Sequence, residues 1–153
     1  MKFLELKIPP GLLTGIFAFI MFNVCGYLPE VDIGVGIPVI LALIIFCVAC
    51  YFFIFGMIEF RKHKTTVDPR SPQKVSALVD TGVYAVSRNP MYLGFALFLF
   101  SIVIFLRSPV LIVGVILFIV YVNRFHIVPE EQALLQLFGD RYEEYSQKVR
   151  RWI

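Results

Sequence analysis

Four apolar runs, each of membrane-crossing length or close to it, divide this chain into short polar connections. They cover residues 11–28, 37–58, 90–106 and 110–128. A helix needs about 20 apolar residues to cross the hydrocarbon core of a bilayer. The sequence therefore predicts an all-α, polytopic membrane protein with four transmembrane helices, in which residues 1–153 form a single membrane domain.

Composition supports the same class of protein. Of the 153 residues, 59% are hydrophobic and 16% are charged, which leaves too little polar surface to cover a water-soluble globule. The basic residues lie mainly in the second connection and the C-terminal region, so we expect contact with anionic lipid headgroups and no nucleic acid partner. Two histidines, and three cysteines that all lie within apolar runs, predict no metal site.

The charges of the connections predict the orientation in the membrane. The first connection contains Glu30 and Asp32 but no Lys or Arg. The second connection contains six basic residues: Arg61, Lys62, Lys64, Arg70, Lys74 and Arg88. Because Lys and Arg concentrate in cytoplasmic connections, we expect the second connection and both termini to be cytoplasmic. In a bacterium, the membrane would be the inner membrane.

The segment 129–153 differs in character from the apolar runs. Residues 130–138 predict a short helix that Gly139 ends. Beyond it, large side chains recur at steps of four and three, namely Phe138, Tyr142, Tyr145, Val149 and Trp152. This spacing is typical of an amphipathic helix, which we expect to lie in the cytoplasm, either on the bilayer interface or over the ends of the spans.

Polar residues at the edges of the last two apolar runs form the candidate site. Arg88, Asn89 and Tyr92 flank the start of the third run, and a second group lies at the end of the fourth: Asn123, Arg124, His126, Glu130 and Glu131. Charged side chains at this depth are costly unless paired or solvated, so their clustering predicts a functional site. Ordinary structural interpretations also remain: snorkelling for Asn123 and Arg124, a solvated helix start for both glutamates, an orienting charge for Arg88 and an interfacial ring for Tyr92.

Backbone groups add a second type of candidate. The stretch Gly82–Val83–Tyr84 and the turn at Asn89–Pro90 lie where N–H groups are exposed near helix starts. Such groups bind carboxylates and phosphates, because unpaired N–H groups and the helix dipole both favour an anion. Tyr84 and Asn89 are therefore included among the candidate cofactor-binding residues.

Taken together, these stretches resemble the isoprenylcysteine carboxyl methyltransferase and phospholipid methyltransferase group of integral membrane enzymes. The resemblance covers the chain from about Thr66 onward and includes Phe138–Gly139, Tyr142 and Tyr145. It implies S-adenosylmethionine in a cytoplasm-facing pocket made by the last two membrane helices and the C-terminal helix. The residues that match the cofactor site are Arg88, Pro90, Tyr92, His126, Glu130 and Glu131. Asn89 departs from the pattern, since many relatives have histidine there.

The function that the resemblance implies is S-adenosylmethionine-dependent methylation of a lipid-like or isoprenylated acceptor at the cytoplasmic membrane face. We assign Glu130 and Glu131 to the ribose hydroxyls or the ammonium group of the cofactor, and the turn at 88–92 to its carboxylate. Arg88 and Arg124 are the candidate catalytic residues, which would steer an acidic acceptor. A carboxylate acceptor is favoured because an amine must first lose a proton. The alternatives are a phospholipid amine N-methyltransferase, an NADPH-dependent membrane reductase and a non-catalytic scaffold.

Overall fold

A computed structural model of the chain describes residues 8–63 and 77–153, which are helices joined by turns. The α-helices are α1 (Pro10–Val24), α2 (Gly36–Lys62), α3 (Pro90–Phe105), α4 (Ile112–Val122), α5 (Val128–Phe138) and α6 (Asp140–Lys148). A π turn, Asn123–Ile127, joins α4 to α5. Within these two ranges there are no strands, so the all-α prediction holds for the described part of the chain.

Three helical stretches are long and apolar enough to cross a bilayer: Pro10–Tyr27, Gly36–Lys62 and Pro109–Phe138. The chain is therefore an integral membrane protein. Helix α3 is also apolar but has 16 residues, about 24 Å at 1.5 Å per residue, which is shorter than the roughly 30 Å hydrocarbon core. The assignment of α3 as a fourth membrane span therefore remains a prediction from the sequence.

The fourth apolar run continues as a helix beyond residue 128, where the sequence analysis ended the span. Proline in a helix lacks an N–H group and its ring collides with the carbonyl four residues earlier. The π turn ends two residues before Pro129, and the N–H of Val128, which follows the turn, donates to the carbonyl of Asn123, five residues back. This wider turn accommodates Pro129 in the first turn of α5, so Glu130 and Glu131 begin a helix that is continuous with α4.

The helices alternate in direction, as the contacts along them show. In the pair α2 and α3, Gly94 faces Ala49 and Phe53, and Phe46 packs on Phe98 with ring centroids 6.0 Å apart. A Cβ on Gly94 would lie 2.8 Å from the carbonyl oxygen of Ala49, so this close antiparallel contact requires glycine. On the other side of α3, α1 packs against α4.

Two connections meet at the end of the bundle opposite to the polar clusters. Arg107 forms an ion pair with Glu30, and the Ser108 hydroxyl donates to the Pro29 carbonyl at 3.0 Å. The backbone N–H of Val31 also donates to the Arg107 carbonyl at 2.9 Å. The first and third connections therefore lie on the same side of the bundle, as an alternating arrangement requires.

Helix α6 folds back on the segment that leads into α3. Its buried Tyr142 and Tyr145 form a small apolar cluster with Leu78, to which Leu134, Phe138 and Val149 also contribute. The side chains that the sequence analysis placed on one apolar face thus contact protein at this end of the bundle. Lys64, Arg70 and Lys74, which contributed to the orientation prediction, lie outside the described residues.

Candidate functional site

The predicted site residues, and the C-terminal residues that pack against them, come from four parts of the chain and lie at one end of the bundle. These parts are the turn before α3, the start of α3, the junction of α4 with α5, and residues 149–153, called the C-terminal tail below. Tyr92 and Glu130, which are 38 positions apart, are joined by a 2.6 Å hydrogen bond in which the tyrosine hydroxyl donates. Two of the predicted residues are therefore in direct contact.

His126 lies beside this pair. Its ring centroid is 6.0 Å from that of Tyr92, and the residue is fully buried. Neither ring nitrogen has a hydrogen-bond partner among residues 8–63 and 77–153. Buried polar groups nearly always have a partner in folded proteins, so the His126 imidazole has hydrogen-bonding capacity that these residues leave unused.

Glu131 has different neighbours from Glu130. Arg151 binds it with two nitrogens, Nε at 3.1 Å and Nη2 at 2.6 Å, and Arg88 Nη2 lies 3.0 Å from the same carboxylate. Hydrogen bonding to Glu131 raises the pKa of Arg151 above its usual value and outweighs the opposing effect of desolvation. The second guanidinium nitrogen of Arg88 donates to the Ser146 carbonyl at 3.0 Å. Glu131 therefore ties α5 to the turn before α3 and to the C-terminal tail.

The C-terminal tail runs along the turn before α3. The Arg150 carbonyl accepts from the N–H of Arg88 at 3.0 Å, and the Arg151 carbonyl accepts from the Asn89 side-chain amide at 3.0 Å. The N–H of Asn89 donates to the Ser87 hydroxyl. Of the backbone donors proposed for an anion at this turn, those of Arg88 and Asn89 thus already have acceptors within the protein. The indole of Trp152 donates to Asn123 at 3.3 Å.

Tyr84 contacts both α6 and the end of α2. Its carbonyl accepts a 2.7 Å hydrogen bond from the Tyr145 hydroxyl, and its buried ring packs on Phe60. Burial is the main reason why the pKa of the Tyr84 hydroxyl is well above its usual value, and the pKa of Tyr145 is raised for the same reason. Burial also raises the pKa of Tyr142 to about 12. These phenols stay protonated at neutral pH and act as hydrogen-bond donors or packing groups.

Two residues of this region, Glu59 and Arg151, were not among the candidate site residues of the sequence analysis. Glu59 is buried near the end of α2, accepts from Thr81 at 3.1 Å and pairs with Lys62 at 2.7 Å. Gly82 has a φ of 60°, and a Cβ there would lie 2.7 Å from Glu59 Oε1. Glu59 thus anchors the segment that carries Tyr84. Arg151, the partner of Glu131, was treated only as part of a basic C-terminal region.

Arg124 belongs to the π turn and is exposed. Its guanidinium carbon is 5.7 Å from the centroid of the Phe125 ring. In the part of the chain that the structure describes, no group of three His, Cys, Asp or Glu side chains could hold a metal ion.

An apolar helical bundle with buried ionisable groups gathered at one end defines an integral membrane protein with a polar site near a bilayer boundary. The chain belongs to the phospholipid methyltransferase family, whose family model matches residues 37–141. This match includes α2 to α5, and therefore Tyr84, Arg88, Tyr92, His126 and both glutamates.

Individual relatives agree with this family. Over 63 residues, the chain is 44% identical to an uncharacterized protein of Haemophilus influenzae, covering 41% of this chain and 100% of that protein. It is 32% identical over 102 residues to methanethiol S-methyltransferase 1 of Bradyrhizobium diazoefficiens, covering 65% and 32% of the two chains. It is 40% identical over 75 residues to protein-S-isoprenylcysteine O-methyltransferase B of Arabidopsis thaliana, covering 47% and 36%. The chain thus spans about a third of the length of these two named methyltransferases.

Proposed function

We propose that this chain is an S-adenosylmethionine-dependent membrane methyltransferase whose acceptor is a carboxylate on a lipid-like molecule. The observation that carries the proposal is the part-buried Tyr92–Glu130 hydrogen bond beside the His126 imidazole, which has no hydrogen-bond partner within residues 8–63 and 77–153, in a chain of the phospholipid methyltransferase family. The cytoplasmic location of the site rests on the charges of the connections.

The side chains of this cluster fit a polar cofactor of mixed charge. Glu130 supplies a carboxylate that could accept from an ammonium or a hydroxyl group, and His126 offers one nitrogen donor and one acceptor when its ring is neutral. Tyr92 fixes the position of the Glu130 carboxylate through the 2.6 Å hydrogen bond. When bound, S-adenosylmethionine would supply a methyl group carried on a sulfonium.

The remaining predicted residues divide by their contacts. Glu131 and Arg88 pair with each other, and we assign them to holding the turn at 88–92 and the C-terminal tail against the cofactor pocket. Pro90 and Asn89 shape that turn, and Tyr84 supports it through Tyr145. Arg124 is exposed at the same end, where it would attract an acidic acceptor without being buried.

The acceptor carboxylate needs little help from a base. It is already ionised at pH 7, so the protein has to orient it and exclude water. An amine would have to lose a proton first, and Glu130 would then have to serve both cofactor and acceptor. The name of the Arabidopsis relative, an isoprenylcysteine O-methyltransferase, supports a carboxylate at the end of an apolar tail.

The test is cofactor binding followed by product analysis. Purified protein in lipid nanodiscs is titrated with S-adenosylmethionine and, separately, with NADPH. We expect S-adenosylmethionine to bind, and Glu130→Gln to weaken that binding more than tenfold, because a charge-assisted hydrogen bond contributes about 1.5–3 kcal/mol. Binding of NADPH alone would favour a reductase, and binding of neither would favour a scaffold.

Product chemistry then separates the acceptors. The purified protein is incubated with membrane lipid extract and methyl-labelled cofactor. The labelled product is then treated with base. A methyl ester releases labelled methanol, whereas an N-methyl group keeps its label in the lipid. Because the Bradyrhizobium relative is named for methanethiol, a second reaction is supplied with methanethiol as the acceptor, and volatile labelled thioether is collected from it. Label that stays in the lipid after base treatment would show that the acceptor is an amine and not a carboxylate. A volatile labelled thioether would show that the acceptor is a thiol.

A further inference from the structure

The π turn at Asn123–Ile127 brings together two polar side chains that are five residues apart, the fully buried His126 and the partly buried Tyr121. On a regular α-helix, Tyr121 and His126 would lie about 140° apart around the axis, at 100° per residue. Across the π turn their ring centroids are 6.0 Å apart, and Tyr92 lies at the same distance on another side of His126. Single π turns within α-helices are frequent at functional sites.

These two side chains carry three polar atoms without partners. Within residues 8–63 and 77–153, the Tyr121 hydroxyl and both nitrogens of His126 are buried and make no hydrogen bond. His126 is 0% exposed. A buried polar group without a partner destabilises a fold, so three such atoms at the junction of α4 with the π turn fit a ligand that completes their hydrogen bonds.

The position of Tyr121 along the helix indicates what kind of ligand it would contact. Tyr121 lies nine residues before Glu130, about 13 Å deeper along the helix axis at 1.5 Å per residue. Its turn of the helix is apolar, with the buried Phe118 and Val122 as neighbours. Glu130, assigned to the cofactor, lies at the polar end. Tyr121 therefore lies on the side from which a molecule with an apolar tail would enter.

We propose that Tyr121 and His126 form a two-donor seat for the carboxylate of the acceptor, which makes Tyr121 a specificity-determining residue. This inference rests on the proposed function. The phenol hydroxyl and the imidazole N–H each donate one hydrogen bond to the two oxygens of a carboxylate, while the second imidazole nitrogen remains an acceptor for the cofactor. Neither donor carries a full charge in this arrangement, so the carboxylate is oriented while it keeps its own charge.

The experiment compares Tyr121→Phe with a matched control, Tyr51→Phe, whose ring lies on the exposed face of α2. The probe is N-acetyl-S-farnesylcysteine, which places a carboxylate at the end of an apolar tail. Equilibrium dialysis of the labelled probe against cofactor-free protein in nanodiscs measures its Kd, and S-adenosylmethionine is titrated separately. We expect Tyr121→Phe to raise the Kd of the probe about tenfold and to leave the Kd of S-adenosylmethionine within about twofold of the wild type, whereas Tyr51→Phe changes neither.

Stability gives an independent readout. If the Tyr121 hydroxyl serves to bind a ligand and not to stabilise the fold, then its removal should leave the unfolding midpoint of the ligand-free protein unchanged or raised. A lowered midpoint would show that the hydroxyl serves the fold, and would overturn the proposal. So would an unchanged Kd for the probe, a parallel loss of S-adenosylmethionine binding, or a wild-type protein that binds the cofactor but not the probe. A wild type that does not bind the cofactor would refute the proposed function itself, and this inference with it.

Discussion

Replacing Glu131 with glutamine keeps the size of the side chain and removes the charge that Arg88 and Arg151 share. The Arg88 side chain is 14% exposed and Glu131 is 18% exposed, so their 3.0 Å contact is largely desolvated. A charge-assisted hydrogen bond of this kind contributes about 1.5–3 kcal/mol. Arg151 is 38% exposed, and water screens its pair to less than about 1 kcal/mol. We therefore expect Glu131→Gln to lower the free energy of unfolding by about 2–3 kcal/mol, a 30- to 150-fold change in the equilibrium constant.

The matched control for this variant is Glu144→Gln on α6. Glu144 pairs with Lys148 at 4.0 Å, and both side chains are more than 70% exposed, so the change should stay within about 0.5 kcal/mol. Reversible denaturation in lipid–detergent micelles measures both variants. In a double-mutant cycle with Arg151→Gln, the coupling energy should be about 1 kcal/mol or less. If Glu131→Gln were no less stable than Glu144→Gln, the view that Glu131 ties α5 to the turn before α3 through Arg88 would be wrong.

Three further predictions concern orientation, helix packing and pH. In a cysteine-free background, a cysteine at position 32 should react with a membrane-impermeant reagent from outside, while one at position 153 should react only after the membrane is opened; the reverse pattern would invert the orientation. Gly94→Ala should destabilise the protein by about 1–3 kcal/mol in the same denaturation assay, because its Cβ would lie 2.8 Å from the Ala49 carbonyl oxygen, whereas Gly15→Ala meets nothing within 4 Å and should not destabilise it. Methylation of a carboxylate of pKa near 4 should change little above about pH 6, and a rate that climbs through neutral pH would indicate an amine.

Local sequence pattern was enough to find the helices. Uninterrupted apolar runs located α1 and α2 within a few residues, because a membrane span must satisfy its backbone hydrogen bonds within the helix. The continuation of the fourth run was harder to predict, since Pro129 normally ends or kinks a helix. The π turn that accommodates it depends on the backbone of 123–127, for which the sequence offers no simple signal.

The contacts among the candidate site residues were not predicted from the sequence. Tyr92 and Glu130 were both candidates, but their 38-residue separation gave no reason to join them. Both glutamates were given one shared role, whereas only Glu131 meets two arginines. Glu59 was overlooked because a single carboxylate at the end of an apolar helix has the appearance of a solvated terminal charge. Its partner Thr81 becomes visible only when the fold brings the two together.

The junction between the first and third connections has a consequence for how the protein is made. The Pro29 carbonyl receives its hydrogen bond from Ser108, which lies 79 residues later in the chain. At a synthesis rate of 5–20 residues per second, this partner is made about 4–16 s after the carbonyl. During that interval α1 and α2 enter the membrane with Glu30 still lacking Arg107. A nascent chain that stops after α2 will therefore expose an acidic turn whose Glu30 lacks the ion pair that Arg107 provides in the complete fold.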